Sequence, residues 1–204
     1  MTAIFMRFRR AFETGRLLTA ANYGTFRGWV RHVLAEIEWL AGRVDRFVVA
    51  DPEKVRRLVF VCLGNINRSA FGEAVARARG VRACSVGLAT TTGAPAFEKA
   101  VSTAGRFGID LSAHAATDFT DFRYTPGDLL LAMEIRHVHR LMAGGIPAEA
   151  IALLGAWSSP RRLHLHDPAL QSDDYFMTCF TLIHSAVISL VEQLGAVGGA
   201  GLGR

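Results

Sequence analysis

A cysteine stands at the end of an apolar run and is followed, after a five-residue loop, by an arginine and a serine. The run is residues 58–62, and the three polar positions are Cys62, Arg68 and Ser69. A continuous apolar run suits a buried parallel strand, and the alanine-rich residues after Arg68 suit a helix. Because the backbone N–H groups of such a loop and of the first helical turn point at one spot, we expect an anion site.

The thiol of Cys62 is the predicted nucleophile of this site. Amide dipoles, the helix N-terminus and the Arg68 guanidinium all stabilise a thiolate, so the thiol should lose its proton near neutral pH. The planar guanidinium can hold two oxygens of a phosphoryl group, and Ser69 can donate its hydroxyl to the sulfur and ease its later departure. Gly64 permits close approach of the backbone and a positive φ, and Asn65 tolerates a left-handed conformation. The alternative is a buried structural thiol at a strand end.

This loop resembles the active-site loop of the low-molecular-weight protein tyrosine phosphatase family. That family has Val-Cys-Leu-Gly-Asn, a variable pair, arginine and serine, which here are residues 61–69. The resemblance covers roughly residues 57–196, and its further motifs are residues 85–88, 108–114, 128–134, 153–155 and 166–168. It implies an α/β fold, a four-stranded parallel sheet with helices on both faces, which is phosphotyrosine phosphatase I-like and flavodoxin-like in topology. The alternation of apolar runs and helical patterns along the chain also favours such a sheet.

The resemblance also implies catalytic roles. Asp167 would protonate the departing alkoxide or phenoxide and would then deprotonate the water that hydrolyses a phosphocysteine. Cys62 would be the nucleophile and Arg68 would bind the phosphoryl group, while Ser69 and His114 would support the loop from behind, His114 through Asn65. The residues expected to bind the phosphate are Leu63, Gly64, Asn65, Ile66, Asn67 and Arg68. The amides and Arg68 supply the charge stabilisation, so we expect no metal and no cofactor.

The chain departs from the family pattern in several places. Ala169 and Leu170 stand in place of the aromatic pair after Asp-Pro, and residues 90–96 lack the usual aromatic residue. Asn67 stands where eukaryotic members often carry a second cysteine. Because aromatic walls hold a phenyl ring, the pattern predicts phosphate monoester hydrolysis more directly than a preference for phosphotyrosine. The expected substrate is a phosphorylated protein (phosphotyrosine) or a small aryl phosphate.

Two other functions use the same kind of loop. A non-catalytic protein that binds phosphate or a phosphopeptide needs only the cradle. Arsenate reductases of this fold need further cysteines that attack the first one. The only other cysteines, Cys84 and Cys179, lie in apolar surroundings typical of core residues, so we disfavour the reductase.

The residues before Asp167 alternate between leucine and histidine. His164 and His166 could form a metal pair, but no further Cys or His lies nearby in the sequence. We therefore interpret the stretch as a short amphipathic strand that leads into the loop. Asp167 itself has an alternative interpretation as an ordinary Asx-Pro turn residue.

Charge divides the chain into parts. Residues 1–57 carry 11 Lys or Arg against 6 acids, and residues 58–204 carry 12 against 12, so the net charge of +5 belongs to the N-terminal part. We predict a basic amphipathic helical extension at 1–56, a catalytic domain at 57–196 and a glycine-rich tail at 197–204. A heptad seam is predicted on a helix of the extension, formed by Phe26, Val30, Val33, Ile37, Leu40, Val44 and Phe47. Phe5, Phe8 and Phe12 line one side of a preceding basic segment.

The extension is expected to fold as a helical hairpin around residues 23–24 that packs on the catalytic domain or mediates self-association. The alternative is contact with an anionic membrane surface. No nucleic-acid motif is present, so we expect no nucleic acid partner. No segment reaches the roughly 18–20 apolar residues of a membrane span. Three cysteines and the lack of a signal-peptide pattern predict a cytoplasmic protein of bacterial type.

Overall fold

The structure, a computed structural model, describes residues 19–48 and 50–197 of the 204-residue chain. The strands are β1 (Arg57–Cys62), β2 (Ala83–Gly87), β3 (Asp128–Ala132) and β4 (Ile151–Leu153). The longer helices are α1 (Phe26–Leu40), α2 (Arg68–Ala78), α3 (Glu98–Gly105), α4 (Ile135–Ala143) and α5 (Asp173–Val197). Residues 19–23 are also helical, and short 3₁₀ turns connect several of these elements.

The four strands form one parallel sheet in the order β2-β1-β3-β4, which confirms the predicted fold class. The apolar β1 lies in the centre and is buried on both faces, as its continuous apolar run predicts. Its last residue, Cys62, pairs with Gly87, while Val61 pairs with Ala132 on the other side. The carboxyl ends of β1, β2 and β3 therefore meet at one edge, where parallel α/β sheets bind their ligands.

Helices cover both faces of the sheet. Leu58, Phe60 and Cys62 belong to a first core, on the face covered by α2, α3 and α5. Val59 and Val61 belong to a second core, on the face covered by α4. Within Asp173–Ala196 of α5, an 18-residue window has a mean hydropathy of 1.4, and half of that window is buried. By length and composition the helix could cross a membrane, contrary to our expectation that no segment reaches that limit. Its apolar side chains nevertheless fill the first core, as a central helix of a globular domain requires.

The described part of the extension packs on the sheet's second face. Gly24, with a φ of 75°, separates the helical residues 19–23 from α1, at the position where we predicted a hairpin turn. Helix α1 begins after Thr25, whose side chain accepts a hydrogen bond from the Gly28 N–H. Its buried residues are small, Gly28 and Ala35, so the helix approaches the domain closely.

The predicted heptad seam is wrong as a single packing face. α1 ends at Leu40, and Phe26, Ile37 and Leu40 on it are 70%, 53% and 75% exposed. Val44 and Phe47 lie beyond the helix and are buried in the second core. The helix turns its small residues inward, so Phe26, Ile37 and Leu40 of the seam face outward. Our predictions of self-association or membrane contact therefore concern this outer face, and residues 5–12 and 198–204 lie outside the described residues.

Two helical glycines provide a test of the packing. A Cβ at Gly72 in α2 would lie 2.6 Å from Cδ1 of the buried Phe60 ring, whereas a Cβ at Gly105 in α3 would meet nothing within 4 Å. We expect Gly72→Ala to lower the free energy of unfolding by about 1–2 kcal/mol, because overpacking outweighs the gain in helix propensity. Gly105→Ala should raise it by about 0.5–1 kcal/mol. Urea unfolding followed by circular dichroism measures both, and an unchanged or more stable Gly72→Ala would contradict the close packing of α2 on β1.

Candidate active site

The loop between β1 and α2 forms a cradle around the Cys62 thiol. The Sγ atom lies 3.0 Å from the Ser69 hydroxyl oxygen, and it accepts a hydrogen bond of 3.2 Å from the Asn65 backbone N–H. Within the described residues, the backbone N–H groups of Gly64, Ile66 and Asn67 have no protein acceptor. Together with the N-terminus of α2, these free donors make the loop suited to an anion.

Asn65 holds the cradle in shape. It has a φ of 51°, whereas Gly64, for which we had predicted a positive φ, does not. Such a conformation is unfavourable for most side chains and persists where the surroundings determine it. Here the Asn65 side-chain oxygen accepts the Thr117 N–H at 2.8 Å, and Nε2 of His114 lies 2.7 Å from the Asn65 carbonyl oxygen. The structure thus brings His114 to the loop residue with which we associated it.

A chain of hydrogen bonds sets the direction of the Ser69 hydroxyl. Ser85 donates its proton to the Glu73 carboxylate at 2.6 Å, so its oxygen accepts from the Asn65 amide nitrogen at 2.7 Å. The same nitrogen donates to the Ser69 oxygen at 2.8 Å. Ser69 therefore has its own proton free for the Cys62 sulfur. A hydroxyl donor at that sulfur stabilises the thiolate form.

Arg68 is fully buried beneath the cradle and is held by three acceptors. Nη1 donates to a Glu134 carboxylate oxygen at 2.7 Å and to the Leu165 carbonyl oxygen at 2.8 Å, and Nη2 donates to Asp167 at 2.8 Å. Burial alone would lower the pKa of Arg68, but the charges of Asp167 and Glu134 raise it above its ordinary value. Its Nε–H is buried without a protein partner among the described residues. The edge formed by Nε and Nη2 is thus the one that can bind two oxygens of a phosphoryl group.

Glu134 is a site residue that sequence reasoning missed. It is completely buried, and besides Arg68 it contacts the Nε atom of Arg136 at 2.7 Å. Burial alone would raise its pKa, but Arg68 and the neighbouring histidines lower the pKa well below its ordinary value. A signal was available, because an acid directly after a buried strand comes to the same sheet edge as Cys62. Glu134 is the last residue of the motif 128–134, which carries the family resemblance but assigns this residue no role.

Asp167 reaches the cradle from the other side of Arg68. One carboxylate oxygen accepts from Arg68, and the other accepts the backbone N–H of Ala169 at 3.2 Å. Its side chain is 33% exposed, unlike that of Glu134. The structure therefore brings Cys62, Arg68 and Asp167 together, with the acid on the solvent side.

The surroundings of the cradle contain one aromatic residue that the sequence reading passed over. Phe97 follows the loop in which we found no aromatic residue, and its backbone N–H donates to the Ile66 carbonyl oxygen at 2.9 Å. The residue is 38% exposed, and its ring centroid lies 6.3 Å from that of Phe176. Leu170, on the acid side, is 93% exposed. Phe97 and Leu170 are therefore apolar groups available near the two sides of the site.

The predicted strand around the histidine pair is wrong. Residues 159–168 contain no strand, and the sheet ends at its edge strand β4, whose last residue is Leu153. Leu165 donates its N–H to the Met133 carbonyl oxygen, which lies just beyond β3.

His164 is buried beside Glu134, with Nδ1 at 3.8 Å from a carboxylate oxygen. Burial, followed by nearby positive charge, lowers the pKa of His137 to about 3. Burial also lowers the pKa of His164 to about 4, although Glu134 opposes the shift. Among the described residues, no three His, Cys, Asp or Glu side chains are grouped so that they could hold a metal ion.

The two remaining cysteines are placed as core residues. Cys179 is completely buried in α5, and burial raises the pKa of its thiol to about 12. Cys84 in β2 is partly buried, and burial raises the pKa of its thiol to about 11. Thiols with raised pKa values in ordered elements are poor nucleophiles for a disulfide relay.

Comparison with known proteins identifies relatives of the region that contains the site. The family model for low molecular weight phosphotyrosine protein phosphatases matches residues 57–198. The low molecular weight protein-tyrosine-phosphatase Etp of Escherichia coli is 31% identical over 144 residues, which cover 69% of this chain and 96% of Etp. The EpsP protein of Ralstonia nicotianae, named a probable low molecular weight protein-tyrosine-phosphatase, is 35% identical over 152 residues, covering 71% of this chain and 99% of EpsP.

Solved structures agree with these matches. The tyrosine phosphatase Wzb from Escherichia coli K30, in complex with sulphate, superposes with a TM-score of 0.58 at 28% identity and covers 69% of this chain and 99% of its own. The tyrosine phosphatase AmsI of Erwinia amylovora superposes with a TM-score of 0.60 at 27% identity and covers 68% and 93%.

The buried histidines around Glu134 predict how stability depends on pH. Because the folded-state pKa values of His137 and His164 lie below 6.5, the unfolded chain binds more protons between pH 6.5 and about 4. The free energy of unfolding should therefore fall as the pH is lowered through this range. His164→Gln should flatten the slope by up to about 1.4 kcal/mol per pH unit.

The measurement is urea unfolding between pH 7.5 and 4.5, with His139→Gln as the control, because His139 is exposed on the same helix as His137. A slope in His164→Gln equal to that of the unmodified chain would show that this histidine is not buried in its neutral form.

Proposed function

Because the chain belongs to the low molecular weight phosphotyrosine protein phosphatase family, we propose that it hydrolyses phosphate monoesters through a phosphocysteine intermediate, with phosphotyrosine proteins as substrates. The observation that carries the mechanism is the convergence of Cys62, Arg68 and Asp167 at the carboxyl edge of the sheet. The tyrosine specificity in the names of Etp and EpsP supports the substrate class.

In the first step the Cys62 thiolate attacks phosphorus and the bond to the leaving oxygen breaks. The phosphoryl oxygens accept hydrogen bonds from the free N–H groups of the cradle and from the Nε and Nη2 edge of Arg68. A dianion there competes with Asp167 for Nη2, so substrate binding releases the carboxyl group from its ion pair. The freed carboxyl group, acting in its protonated form, gives its proton to the leaving oxygen.

In the second step a water attacks phosphorus and the phosphorus–sulfur bond breaks. Asp167, now a carboxylate, takes a proton from the water, and inorganic phosphate forms as the thiolate is regenerated. The Ser69 hydroxyl, which the Asn65 amide leaves free to donate, stabilises the departing sulfur. Glu134 keeps the Arg68 guanidinium in place through both steps, because it is bonded to Nη1 rather than to the binding edge.

The competing functions are less well supported. Arsenate reduction needs a relay of thiols, and the other two cysteines are partly or completely buried with raised pKa values. A phosphopeptide-binding protein needs the cradle but no proton donor, whereas Asp167, bonded to Arg68 and partly exposed, is available for that role. A thiolate nucleophile requires a reducing compartment, so we also propose a cytoplasmic location.

Replacing the nucleophile tests the covalent mechanism. Cys62→Ser should lower kcat with p-nitrophenyl phosphate and with a phosphotyrosine peptide by about 10⁴-fold or more, because the serine hydroxyl lacks the nucleophilicity of the thiolate. The variant should keep its fold by circular dichroism and still bind phosphate through the intact amides and Arg68. A near-normal rate would contradict the phosphocysteine intermediate. An unmodified chain that binds phosphate without hydrolysing either substrate would be the binding protein instead.

Removing the proton donor tests the acid. Asp167→Asn should lower kcat/KM by about 10²-fold or more for phenyl phosphate, whose leaving group is poor, and much less for p-nitrophenyl phosphate. The measurement is a plot of kcat/KM against the pKa of the leaving phenol for a series of aryl phosphates. A dependence as shallow as that of the unmodified chain would remove Asp167 from the acid role.

A further inference from the structure

We infer that helix α1 of the N-terminal extension is a positioning element of the active site, which holds the segment that carries the general acid through Thr25 and Gly28. This inference rests on the proposed role of Asp167. It concerns a part of the chain that precedes residue 57, where the family match begins. The element therefore belongs to this chain in addition to the matched catalytic region.

The segment that carries Asp167 has no strand to hold it. Residues 159–168 form no regular secondary structure, and the domain side of the segment is anchored by Leu163 and Leu165, which are completely buried. Leu165 also supplies a carbonyl oxygen to Arg68. On the alternate positions, His164 lies beside Glu134 and His166 lies against the extension. The segment is thus held between the domain core and α1.

α1 meets the residue directly before Asp167. The Thr25 hydroxyl oxygen lies 3.4 Å from Nε2 of His166, and the same oxygen caps the helix by accepting the Gly28 N–H at 2.9 Å. A Cβ at Gly28 would lie 3.1 Å from two atoms of the His166 ring, and a Cβ at Gly24 would lie 3.0 Å from that ring. The start of α1 therefore rests directly on the His166 imidazole.

His166 is fixed from its other side as well. Its carbonyl oxygen accepts the Tyr175 hydroxyl at 3.1 Å, and the Tyr175 ring would lie 2.9 Å from a Cβ at Gly24. With its backbone bonded to α5 and its ring covered by α1, His166 can move little. Because Asp167 is the next residue, the position of its carboxyl group depends on both contacts.

Further contacts hold α1 against the same segment. Arg161 forms an ion pair of 2.6 Å with Glu36, and its guanidinium lies 3.7 Å from the centroid of a Trp39 ring. Arg162 lies over the Tyr23 ring at 4.5 Å and donates to the Asn22 carbonyl oxygen. The extension thus contacts the acid segment at both arginines as well as at His166.

α1 also places a cation near the carboxylate that holds Arg68. Nη1 of Arg31 lies 4.0 Å from the second oxygen of Glu134. The Arg31 side chain is 45% exposed, so this contact is weaker than those of Arg68 and Arg136. The helix nevertheless reaches both acidic partners of Arg68, Glu134 directly and Asp167 through His166.

The functional consequence concerns proton transfer. A general acid acts only when it lies within hydrogen-bond reach of the leaving oxygen, and a displacement of about 1 Å can cost up to 10²-fold in rate. A displaced α1 would leave the cradle intact but would leave the carboxyl group less well placed. The loss should then be greatest for substrates whose leaving groups need a proton most.

Gly28→Ala in the full-length chain tests this inference. The new Cβ would lie 2.1 Å from the Tyr23 carbonyl oxygen and 3.1 Å from the His166 ring, so the start of α1 must shift, although alanine favours the helix itself. We expect kcat/KM for phenyl phosphate to fall about tenfold and that for p-nitrophenyl phosphate to fall by less than about threefold. The dependence on leaving-group pKa should therefore become steeper.

A second pair of variants tests the role of α1 independently if circular dichroism shows that Gly28→Ala is unfolded. Thr25→Val removes the hydroxyl that faces His166 and should steepen the dependence of kcat/KM on leaving-group pKa. Thr25→Ser keeps the hydroxyl and should show the same dependence as the unmodified chain. Phe26→Ala is the control, because that side chain is 70% exposed on the opposite face of α1 and should leave the dependence unchanged.

Asp167→Asn in the same series separates the inference from the function on which it rests. Suppose that Asp167→Asn steepens the dependence, whereas Gly28→Ala and Thr25→Val leave its slope unchanged or lower kcat/KM by the same factor for every substrate. The role of α1 is then overturned and the mechanism stands. If Asp167→Asn itself leaves the slope unchanged, the acid assignment and the inference are both overturned.

Discussion

The completely buried guanidinium of Arg68 is the interaction on which the rest of the site depends. A buried charge without partners costs several kcal/mol, so the fold must bring acceptors to it from separate elements. Glu134, after β3, and the Leu165 carbonyl oxygen satisfy Nη1, while Asp167 satisfies Nη2. These residues lie far apart in the sequence and meet only because the parallel strands end at one edge.

The two acids around Arg68 differ in burial, and that difference separates their roles. Glu134 is inaccessible and shared with Arg136, so no substrate can replace it without leaving a buried anion unpaired. Asp167 is partly exposed and occupies the edge of the guanidinium that a phosphoryl group needs. One acid therefore fixes the cation, and the other can exchange its place with the substrate. The cradle, in contrast, is held by the side chain of Asn65, which donates to Ser69 and Ser85 and accepts from the Thr117 N–H.

Features whose sequence pattern lies within a few residues could be predicted, whereas features that depend on contacts between distant residues could not. The β1 strand, the loop and the start of α2 were predictable, because apolar runs, Asn65 and the helix pattern act within a few residues. Glu134 was missed because its pairing with Arg68 is long-range, and only its place just beyond the carboxyl end of β3 indicated that it belongs to the site. The alternation of leucine and histidine was misread as a strand. An extended, irregular segment that is covered on two sides shows the same sequence period of two as a strand in a sheet. The seam on α1 was misassigned because the helix packs through glycine and alanine, which carry no hydrophobic signal.

The small residues on α1 show why the extension is more than a covering layer. Gly28 and Ala35 let the helix backbone approach the domain closely, whereas larger side chains there would hold it several ångströms away. Beyond the helix, Val44 and Phe47 insert into the core shared with Val59 and Val61 of the central strand. The extension is thus anchored in the core on the opposite face of the sheet from Cys62, against two residues of the strand that ends at Cys62, and α1 reaches His166 at its other end. The extension therefore contacts both the strand that carries the nucleophile, through Val44 and Phe47, and the residue before the general acid, through Thr25 and Gly28.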